Sequence, residues 1–307
     1  MVLSCLVLTN CTARKRGGVQ ALTMSPAIHG KDLDDTARRW KSALQGHTPK
    51  MPVSFLYTGR AMAEARRVTG FVNGSLWVAS AGAGLVRGDT LLAPYDLTPA
   101  GRRGGLREVL HRHKSTPGEW WKALCAERSV TTILRDNPDK MLLVALPANY
   151  VEMMANDLAA CKSSVKERVR LFTSLAGVAS LPQHLVEVAM PYDERLETVA
   201  NYNGTRSDFP QRALRHFVEV LNAHTLDLHS ARKRVEDFIT SCAWRKATTR
   251  RRTTDADIKE LIRLGWESSG GRCSVLLRHV RDDAQVACEQ GRFSQIWRSV
   301  RDEMQIP

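Results

Sequence analysis

The 307-residue chain lacks the patterns of several large protein classes. Its seven cysteines include no pair separated by two residues, and their odd number predicts free thiols in a reducing cytoplasm rather than a disulfide framework. No apolar run is long enough for a transmembrane helix. The short apolar start, MVLSCLVL, has no basic segment before it, which favours a first strand over a signal peptide. We therefore expect a cytoplasmic protein without a membrane partner.

Motifs for cofactors, metals and common nucleophiles are also missing. The glycines of the segment WVASAGAGLVRGDTLLAPYDLT, residues 77–98, do not fit GxGxxG, and no GK[ST] phosphate loop is present. The run HRHK at 111–114 has no cysteine or carboxylate at metal-ligand spacing. Neither a GxSxG elbow nor the HxE…PCxxC pattern of deaminases occurs. The sequence thus predicts no cofactor and no metal.

Acidic residues are few relative to basic ones. The chain has 45 Lys and Arg against 32 Asp and Glu, a formal charge of +13, and the basic residues are clustered. Clustered positive charge attracts polyanions, above all nucleic acid. We expect double-stranded DNA to be the partner of a monomeric protein.

The first half of the chain alternates apolar runs with helix-like stretches. Its continuous apolar runs predict strands that are buried on both faces: Val2–Leu8, Val53–Leu56, Leu76–Ser80 and Met141–Leu146. Helical patterns such as DLDDTARRWKSALQ and EWWKALCAERSVTTIL separate these runs. This alternation predicts an α/β domain over residues 1–150, with a mostly parallel sheet flanked by helices.

A mainly helical region is expected at 151–248, packed on or beside the α/β domain. Apolar residues recur at three- and four-residue spacing in NYVEMMANDLAAC, VKERVRLFTSLAG, PQRALRHFVEVLNAHT and SARKRVEDFITSCAW. A cationic linker, Arg245–Asp255, follows this region, and we expect it to lie along a phosphate backbone.

The tail at 255–307 predicts three helices, with a break at Gly270–Gly271. Three short helices with a tight middle connection suggest a helix-turn-helix DNA-binding module. Its third helix would present Arg292, Gln295 and Arg298 to DNA. A small helical bundle with a solvated basic face is the alternative.

Small, polar or aromatic residues follow every predicted strand. In a parallel sheet, ligands bind beyond the carboxyl ends of the strands, so these residues are expected to converge on one cleft. Amides suit a base edge because they both donate and accept hydrogen bonds, and tyrosines can stack on a base. The candidate base-binding residues are Asn10, Cys11, Thr12, Tyr57, Ser80, Gly82, Tyr95 and Asn149. The candidate phosphate contacts in this part of the chain are Lys15, Arg102, Arg103, Arg206 and Arg212.

Two aspartates follow the third predicted strand. Asp96, beside Tyr95, is the first candidate for the catalytic carboxylate, and Asp89 is the second. A carboxylate at this place can stabilise an oxocarbenium-like sugar or orient a water. Alternatively, either aspartate holds its own loop by hydrogen bonds to the backbone.

Three segments carry a resemblance to a known family: SCLVLTNCTARKR, FLYTGRAMAEARR and WVASAGAGLVRGDTLLAPYDLT. They resemble uncharacterised α/β domains of bacteria and phages that are akin to the peroxide-stress protein family. They are also similar to a domain of archaeosine synthase and, more distantly, to the uracil-DNA glycosylase superfamily. The tail GRCSVLLRHVRDDAQVACEQGRFSQIW resembles helix-turn-helix tails attached to such domains. The residues that match the family's motifs are Cys11, Thr12, Lys15, Tyr57, Ser80, Gly82, Gly84, Tyr95 and Asp96.

The closest functional precedent within this resemblance is the anti-phage DNA glycosylase. It implies that a modified base, such as glucosylated hydroxymethylcytosine, is flipped from phage DNA and cut from its sugar, leaving an abasic site. Two other functions stay open. One is a non-catalytic DNA-binding regulator whose α/β domain senses a ligand, and the other is a base-exchange enzyme that modifies nucleic acid.

Overall fold

The computed structural model describes residues 4–17, 21–99, 105–125, 128–244 and 249–304 of the chain. It separates into two compact units, Met1–Arg245 and Lys246–Pro307. The strands are β1 (Cys5–Asn10), β2 (Leu22–Thr23), β3 (Met51–Pro52), β4 (Ser75–Ser80), β5 (Gly84–Arg87), β6 (Leu91–Leu92), β7 (Tyr95–Asp96), β8 (Met141–Ala145) and β9 (Val169–Phe172).

Helices account for most of the remaining regular structure. The α-helices are α1 (Leu33–Gly46), α2 (Val53–Leu56), α3 (Arg60–Phe71), α4 (Leu106–His113), α5 (Pro117–Leu124), α6 (Val130–Asp136), α7 (Ala148–Met153), α8 (Ala155–Ala159), α9 (Leu175–Ala179), α10 (Phe209–Glu219), α11 (Leu228–Ser241), α12 (Asp255–Leu264), α13 (Trp266–Ser269), α14 (Cys273–Arg278) and α15 (Gln290–Glu303). Short 3-10 segments cover Pro26–Ile28, Ser163–Arg168, Gln183–Val188, Glu194–Thr198 and Ala223–Thr225, and a π-helical turn covers His279–Asp283.

A central five-stranded sheet organises the larger unit, with the strand order β5-β4-β1-β8-β9. Strands β4, β1, β8 and β9 run parallel, and β5 is antiparallel to β4 at one edge. Every residue of β1, β8 and β9 is buried, as expected for strands covered on both faces. Helices α3 and α10 pack against each other and against β1 and β8. The predicted α/β class, with a mainly parallel sheet flanked by helices, is therefore confirmed.

The run Val53–Leu56 is a short helix rather than the predicted strand. Val53 and Leu56 are fully buried, whereas Phe55 between them is half exposed, which is the burial spacing of a helical turn. Pro52, directly before this run, lacks the N–H that a central strand would need. A four-residue apolar run cannot be distinguished from a buried helical turn by periodicity alone, which explains the error.

The segment Val169–Phe172 is a central-sheet strand, although it lies in a stretch that the sequence pattern assigned to a helix. The helix assignment is wrong because the charged Arg170 was placed on the solvent-facing side of an amphipathic helix. Its guanidinium is instead fully buried and donates hydrogen bonds to the carbonyls of Glu167, Val169 and Leu226, at 2.9–3.0 Å. These carbonyls replace the water that a buried cation loses.

The smaller unit has its own apolar core, which includes Ile258, Ile262, Leu276, Val280, Phe293, Ile296 and Val300. Thr254 caps α12 through a capping box with Asp257. Gly270 and Gly271, with φ of 59° and 67°, end α13 in the left-handed region, at the predicted break. Whether these helices act as a helix-turn-helix stays a prediction.

No helix in the described parts of the chain is both long and apolar enough to span a lipid bilayer.

Candidate functional site at the carboxyl ends of the parallel strands

The polar residues that follow β1 and β4 meet at one edge of the sheet. Asn10, the last residue of β1, lies opposite Ala79 of β4. The backbone N–H of Cys11 then donates to the Ala79 carbonyl at 2.8 Å, which carries the pairing one residue beyond the strand. Cys11 is therefore held beside Ser80, as expected for the carboxyl ends of neighbouring parallel strands.

A buried hydroxyl cluster made of Tyr57, Ser80 and Tyr95 lies at this edge. The Tyr57 hydroxyl is 2.8 Å from the Tyr95 hydroxyl and donates to Ser80 Oγ at 3.2 Å, and Ser80 Oγ is 2.5 Å from the Tyr95 hydroxyl. Burial, and then the nearby Cys11 thiol, raise the pKa of both tyrosines. The phenols thus stay protonated and act as hydrogen-bonding groups, not as bases.

The glycine-rich turn after β4 is shaped by this hydroxyl cluster. A Cβ on Gly82 would come within 2.5 Å of the Tyr95 ring, so only glycine fits against that face. The indole N–H of Trp40 donates to the Gly82 carbonyl at 2.6 Å, and that of Trp120 donates to the Ala81 carbonyl at 2.7 Å. In this structure, Gly82 makes room for Tyr95 and not for a ligand.

Tyr150 joins the site from the end of β8, and sequence reasoning missed it. Its hydroxyl lies 2.9 Å from Cys11 Sγ and donates to the Cys11 carbonyl at 3.3 Å. Burial raises its pKa well above the usual value. The adjacent Asn149 was the sequence candidate, but it is exposed on α7. The one signal in the sequence is geometric. In a helix that begins at Ala148, adjacent side chains point about 100° apart, so Asn149 and Tyr150 face different directions.

Lys15 connects the buried hydroxyl cluster to the solvent-facing rim of the site. Its Nζ lies 4.3 Å from the centre of the Tyr95 ring, within cation–π range, and donates to the Thr12 carbonyl at 3.1 Å. Burial lowers the pKa of Lys15, while the charges of Cys11 and Asp96 act in the opposite direction. Asp96 is exposed in β7, next to Tyr95. A lysine and a carboxylate thus share the rim.

Asn10 is engaged inside the protein and does not present an edge to a base. Its Nδ2 donates to the Cys11 carbonyl at 2.8 Å, and its Oδ1 accepts from Gln211 Nε2 at 2.8 Å. Gln211 of α10 also donates to Thr9 Oγ1 and to the Ala145 carbonyl, both at 2.9 Å. Asn10 and Gln211 together therefore tie the ends of β1 and β8 to α10. In the sequence, Gln211 is one polar residue of an ordinary amphipathic helix pattern, so nothing marked it as part of this site.

Asp89 lies near the amino end of β4, whereas Ser80 is the last residue of that strand. The preceding Gly88 donates its N–H to the carbonyl of Leu76, the second residue of β4. Ser80 lies four residue steps beyond Leu76 in β4, which is roughly 13 Å along the strand. The Asp89 carboxylate instead pairs with Arg87 at 2.8 Å. Its predicted catalytic role is therefore withdrawn, because this separation keeps its carboxylate away from the groups around Ser80.

Thr12 and the arginine candidates occupy different environments. The hydroxyl of Thr12 lies 2.8 Å from the carbonyls of both Arg14 and Thr58, so it shapes the loop after β1. Arg206 is exposed and forms no ion pair with the residues that the structure describes. Arg102 and Arg103 lie outside the described residues.

Arg212, a predicted phosphate contact, is fully buried. Its guanidinium pairs with Glu197 and Asp208, both at 2.7 Å, and donates to the Tyr202 and Thr205 carbonyls. A phosphate cannot reach it in this conformation. The prediction failed because an arginine on an amphipathic helix reads as a surface residue, and only the tertiary structure supplies its buried acidic partners.

The three candidates on α15 also differ from one another. Gln295 and Arg298 are exposed, as the predicted outer face of the third helix requires. Arg292 is half-buried and pairs with Asp255 at the start of α12. Part of its charge is therefore already neutralised within the smaller unit.

A scan of the chain against protein-family models finds no match, and searches of curated proteins and of solved structures find no similar protein.

The chemistry of the strand-end site follows from its burial. Within the described residues, no group of three or more His, Cys, Asp or Glu side chains is arranged to hold a metal ion. The tyrosine, serine and cysteine groups hydrogen-bond one another, and they are almost completely buried. The ionisable side chains at the rim of the site are Lys15 and the exposed Asp96. Such a rim suits charge stabilisation and proton transfer.

Proposed function

We propose that the protein is a DNA glycosylase that removes a modified base, such as glucosylated hydroxymethylcytosine, from phage DNA as a defence. The observation that carries the proposal is the placement of exposed Asp96 at the rim of the strand-end site, beside half-buried Lys15. The +13 charge of the chain supports a polyanionic substrate. The resemblance of the first hundred residues to glycosylase-like α/β domains supports the reaction class.

The reaction breaks the bond between C1′ of the sugar and the base nitrogen. The bonding electrons leave with the base, and the sugar becomes a cation that the Asp96 carboxylate stabilises. A water oxygen then bonds to C1′, and its proton is lost to the carboxylate or to the departing base. Lys15, as an ammonium, would hold the adjacent phosphate or protonate the leaving base.

The base must be extruded from the duplex before this chemistry can occur. Tyr57 and Tyr95 are the aromatic groups nearest the rim, and their rings meet edge to face at 6.4 Å. Because both rings are fully buried, the base enters only if the segment that carries Lys15 moves. Lys15 covers the Tyr95 ring, so it is the residue that such a movement displaces.

A non-catalytic DNA-binding regulator is the second candidate, and one observation favours it. The hydroxyl groups of Tyr57, Ser80 and Tyr95 satisfy one another, which is the arrangement of a packed core rather than of an open active site. Such a regulator would bind one DNA sequence tightly and release no base.

The deciding assay incubates the protein with modified phage DNA and with unmodified DNA of the same sequence. Mass spectrometry detects any free base, and alkali converts any abasic site into a strand break. Release of a modified base together with alkali-sensitive sites supports the glycosylase. If no substrate shows a strand break after alkali while one sequence is bound tightly, the regulator replaces it.

A further inference from the structure

An arginine-lined groove lies within the smaller unit and shares no lining residue with the strand-end site. It has a volume of about 880 Å³. Its lining includes Arg250, Arg252, Arg281, Cys288, Glu289 and Arg292. Four guanidinium groups therefore face one carboxylate among the described lining residues.

The backbone places two of these arginines on the same side. Arg251 N–H donates to the Gln285 carbonyl at 2.9 Å, and Ala287 N–H donates to the Arg251 carbonyl at 2.8 Å, which makes a parallel bridge between the two segments. Alternate residues of an extended segment point to the same face. Arg250 and Arg252 accordingly line the groove, and Arg251 between them does not.

The other two arginines are held by the π-helical turn and by α15. Arg281 donates through Nε and Nη2 to the Cys288 carbonyl, at 2.9 and 2.7 Å, so its guanidinium is fixed in place by a neutral group. Arg292 lies in the first turn of α15, where its backbone N–H is capped by the Glu289 carboxylate at 2.9 Å. Arg250, Arg281 and Arg292 are thus held in place by hydrogen bonds, whereas Arg252 is exposed.

The positive charge of the groove is only partly neutralised. Arg250 pairs with Asp282 at 2.8 Å, and Arg292 pairs with Asp255. In the described part of the chain, neither Arg252 nor Arg281 forms an ion pair with a carboxylate, and Arg252 is exposed. Because two of the four guanidinium groups lack a carboxylate partner among the described residues, the groove favours an external anion, and the planar guanidinium forks suit phosphate oxygens in particular.

We propose that this groove binds consecutive phosphates of a duplex DNA backbone, and that Arg252 is its main contact. This proposal depends on the proposed function only because that function names DNA as the bound polymer. It differs from the prediction that the outer face of α15 makes the contacts, because of the three residues predicted there only Arg292 lines the groove. Arg252 also lies close to the start of α15, which would carry any base-reading residues.

The test measures DNA affinity of the full-length chain by fluorescence anisotropy, with a labelled duplex, over about 50–200 mM salt. The variants are Arg252→Ala, Arg252→Lys and Arg298→Ala, the last of which tests the alternative contact on the outer face of α15. The matched control is Arg128→Ala, which removes the same charge from an exposed position in the larger unit. Losing one phosphate contact lowers the magnitude of the salt slope by about 0.9 and weakens binding roughly eight-fold at about 0.1 M salt. We expect this loss for Arg252→Ala, retention of most of the affinity for Arg252→Lys, a smaller loss for Arg298→Ala than for Arg252→Ala, and little change for the Arg128→Ala control.

Each other outcome overturns the groove as the DNA contact. Equal losses for Arg252→Ala and Arg128→Ala would indicate diffuse attraction, and a loss for Arg298→Ala that equals or exceeds the loss for Arg252→Ala would place the contact on the outer face of α15. Inorganic triphosphate is titrated in parallel. If it binds in an Arg252-dependent manner while DNA binding is unchanged, the groove serves free phosphates and the DNA proposal fails.

The groove proposal and the glycosylase proposal can each be disproved without the other. Base release is measured at saturating DNA, where weaker binding no longer limits the reaction. A protein that binds DNA through Arg252 but releases no base keeps the groove and loses the glycosylase. If the protein releases base and Arg252→Ala binds DNA with unchanged affinity, the glycosylase proposal stands and the groove proposal fails.

Discussion

The hydroxyl group of Tyr57 lies 2.8 Å from the hydroxyl group of Tyr95, although 38 residues separate them in the chain. Tyr57 follows the short helix α2, and Tyr95 begins β7, so the two arrive at the strand-end site from different directions. Ser80, at the end of β4, completes the cluster. One hydroxyl network therefore fastens three segments to the edge of the sheet.

Removing the Tyr95 hydroxyl should destabilise the protein. In Tyr95→Phe, the buried groups of Tyr57 and Ser80 lose a partner, and we expect the free energy of unfolding to fall by about 1–3 kcal/mol. Urea unfolding measures the change. The double variant Tyr95→Phe with Ser80→Ala should lose less than the sum of the two single variants, because fewer polar groups remain unpaired. Additive losses would show that the three hydroxyls do not act as one network.

Gly82→Ala should disturb the same network through its backbone. The added methyl group would lie 2.5 Å from the Tyr95 ring, so we expect a loss of about 1–3 kcal/mol from overpacking. Gly70→Ala is the matched control, because a Cβ at Gly70 in α3 meets no atom within 4 Å. That change should be neutral, or should stabilise the helix by up to about 1 kcal/mol. Equal thermal shifts in the two variants would contradict the packing seen around Tyr95.

Asp96→Asn should abolish base release and leave DNA binding intact. The amide keeps the size of the side chain but cannot stabilise a developing sugar cation, so we expect at least a hundred-fold fall in the single-turnover rate, about 2.7 kcal/mol in the barrier. Asp89→Asn is the control, because Asp89 pairs with Arg87 near the amino end of β4. A normal rate for Asp96→Asn would remove Asp96 from the mechanism.

A buried ion pair between Glu64 and Arg215 joins α3 to α10. Two Nη1–Oε contacts of 2.7 and 2.8 Å link the pair, and Arg60 binds the same carboxylate at 3.1 Å. Glu64→Gln leaves Arg215 buried without a counter-charge, so we expect a loss of about 3 kcal/mol in the free energy of unfolding. Asp136→Asn, which breaks the exposed pair with Arg135, should leave the urea midpoint nearly unchanged.

His216 should make the stability of the protein depend on pH. Burial, and then the neighbouring Arg215, lower its pKa to about 4, whereas an unfolded histidine titrates near 6.5. Below about pH 6.5, the unfolded chain binds a proton that the folded protein excludes. The contribution of His216 is therefore complete above about pH 6.5 and is lost as the pH falls towards 4, by up to about 3 kcal/mol.

Urea midpoints measured across this pH range test the role of His216. His216→Gln should flatten the dependence between pH 6.5 and 4, since no titrating group remains at the position. The exposed His111→Gln should retain the wild-type slope. An unchanged slope in His216→Gln would assign the dependence to other groups.

Several features of the fold were readable in the sequence because local rules decide them. Uninterrupted apolar runs marked β1, β4 and β8, since a strand covered on both faces needs no polar positions. Gly270 and Gly271 marked a helix end, because they adopt a backbone conformation that other residues avoid. The rule that parallel strands end at one edge correctly predicts that Cys11 and Ser80 lie close together.

Other features depended on partners that are distant in the chain. Arg170 and Arg212 looked like surface cations, and only the fold supplies the carbonyls and carboxylates that make their burial favourable. The sequence alone therefore determined the class of the fold, the positive charge and some of the residues of the strand-end site, among them Cys11 and Ser80. The tertiary structure alone decided which of them are buried against one another, which remain accessible beside Asp96, and which arginines converge on a groove. The reason is that burial and pairing are properties of side chains far apart in sequence, which no local pattern encodes.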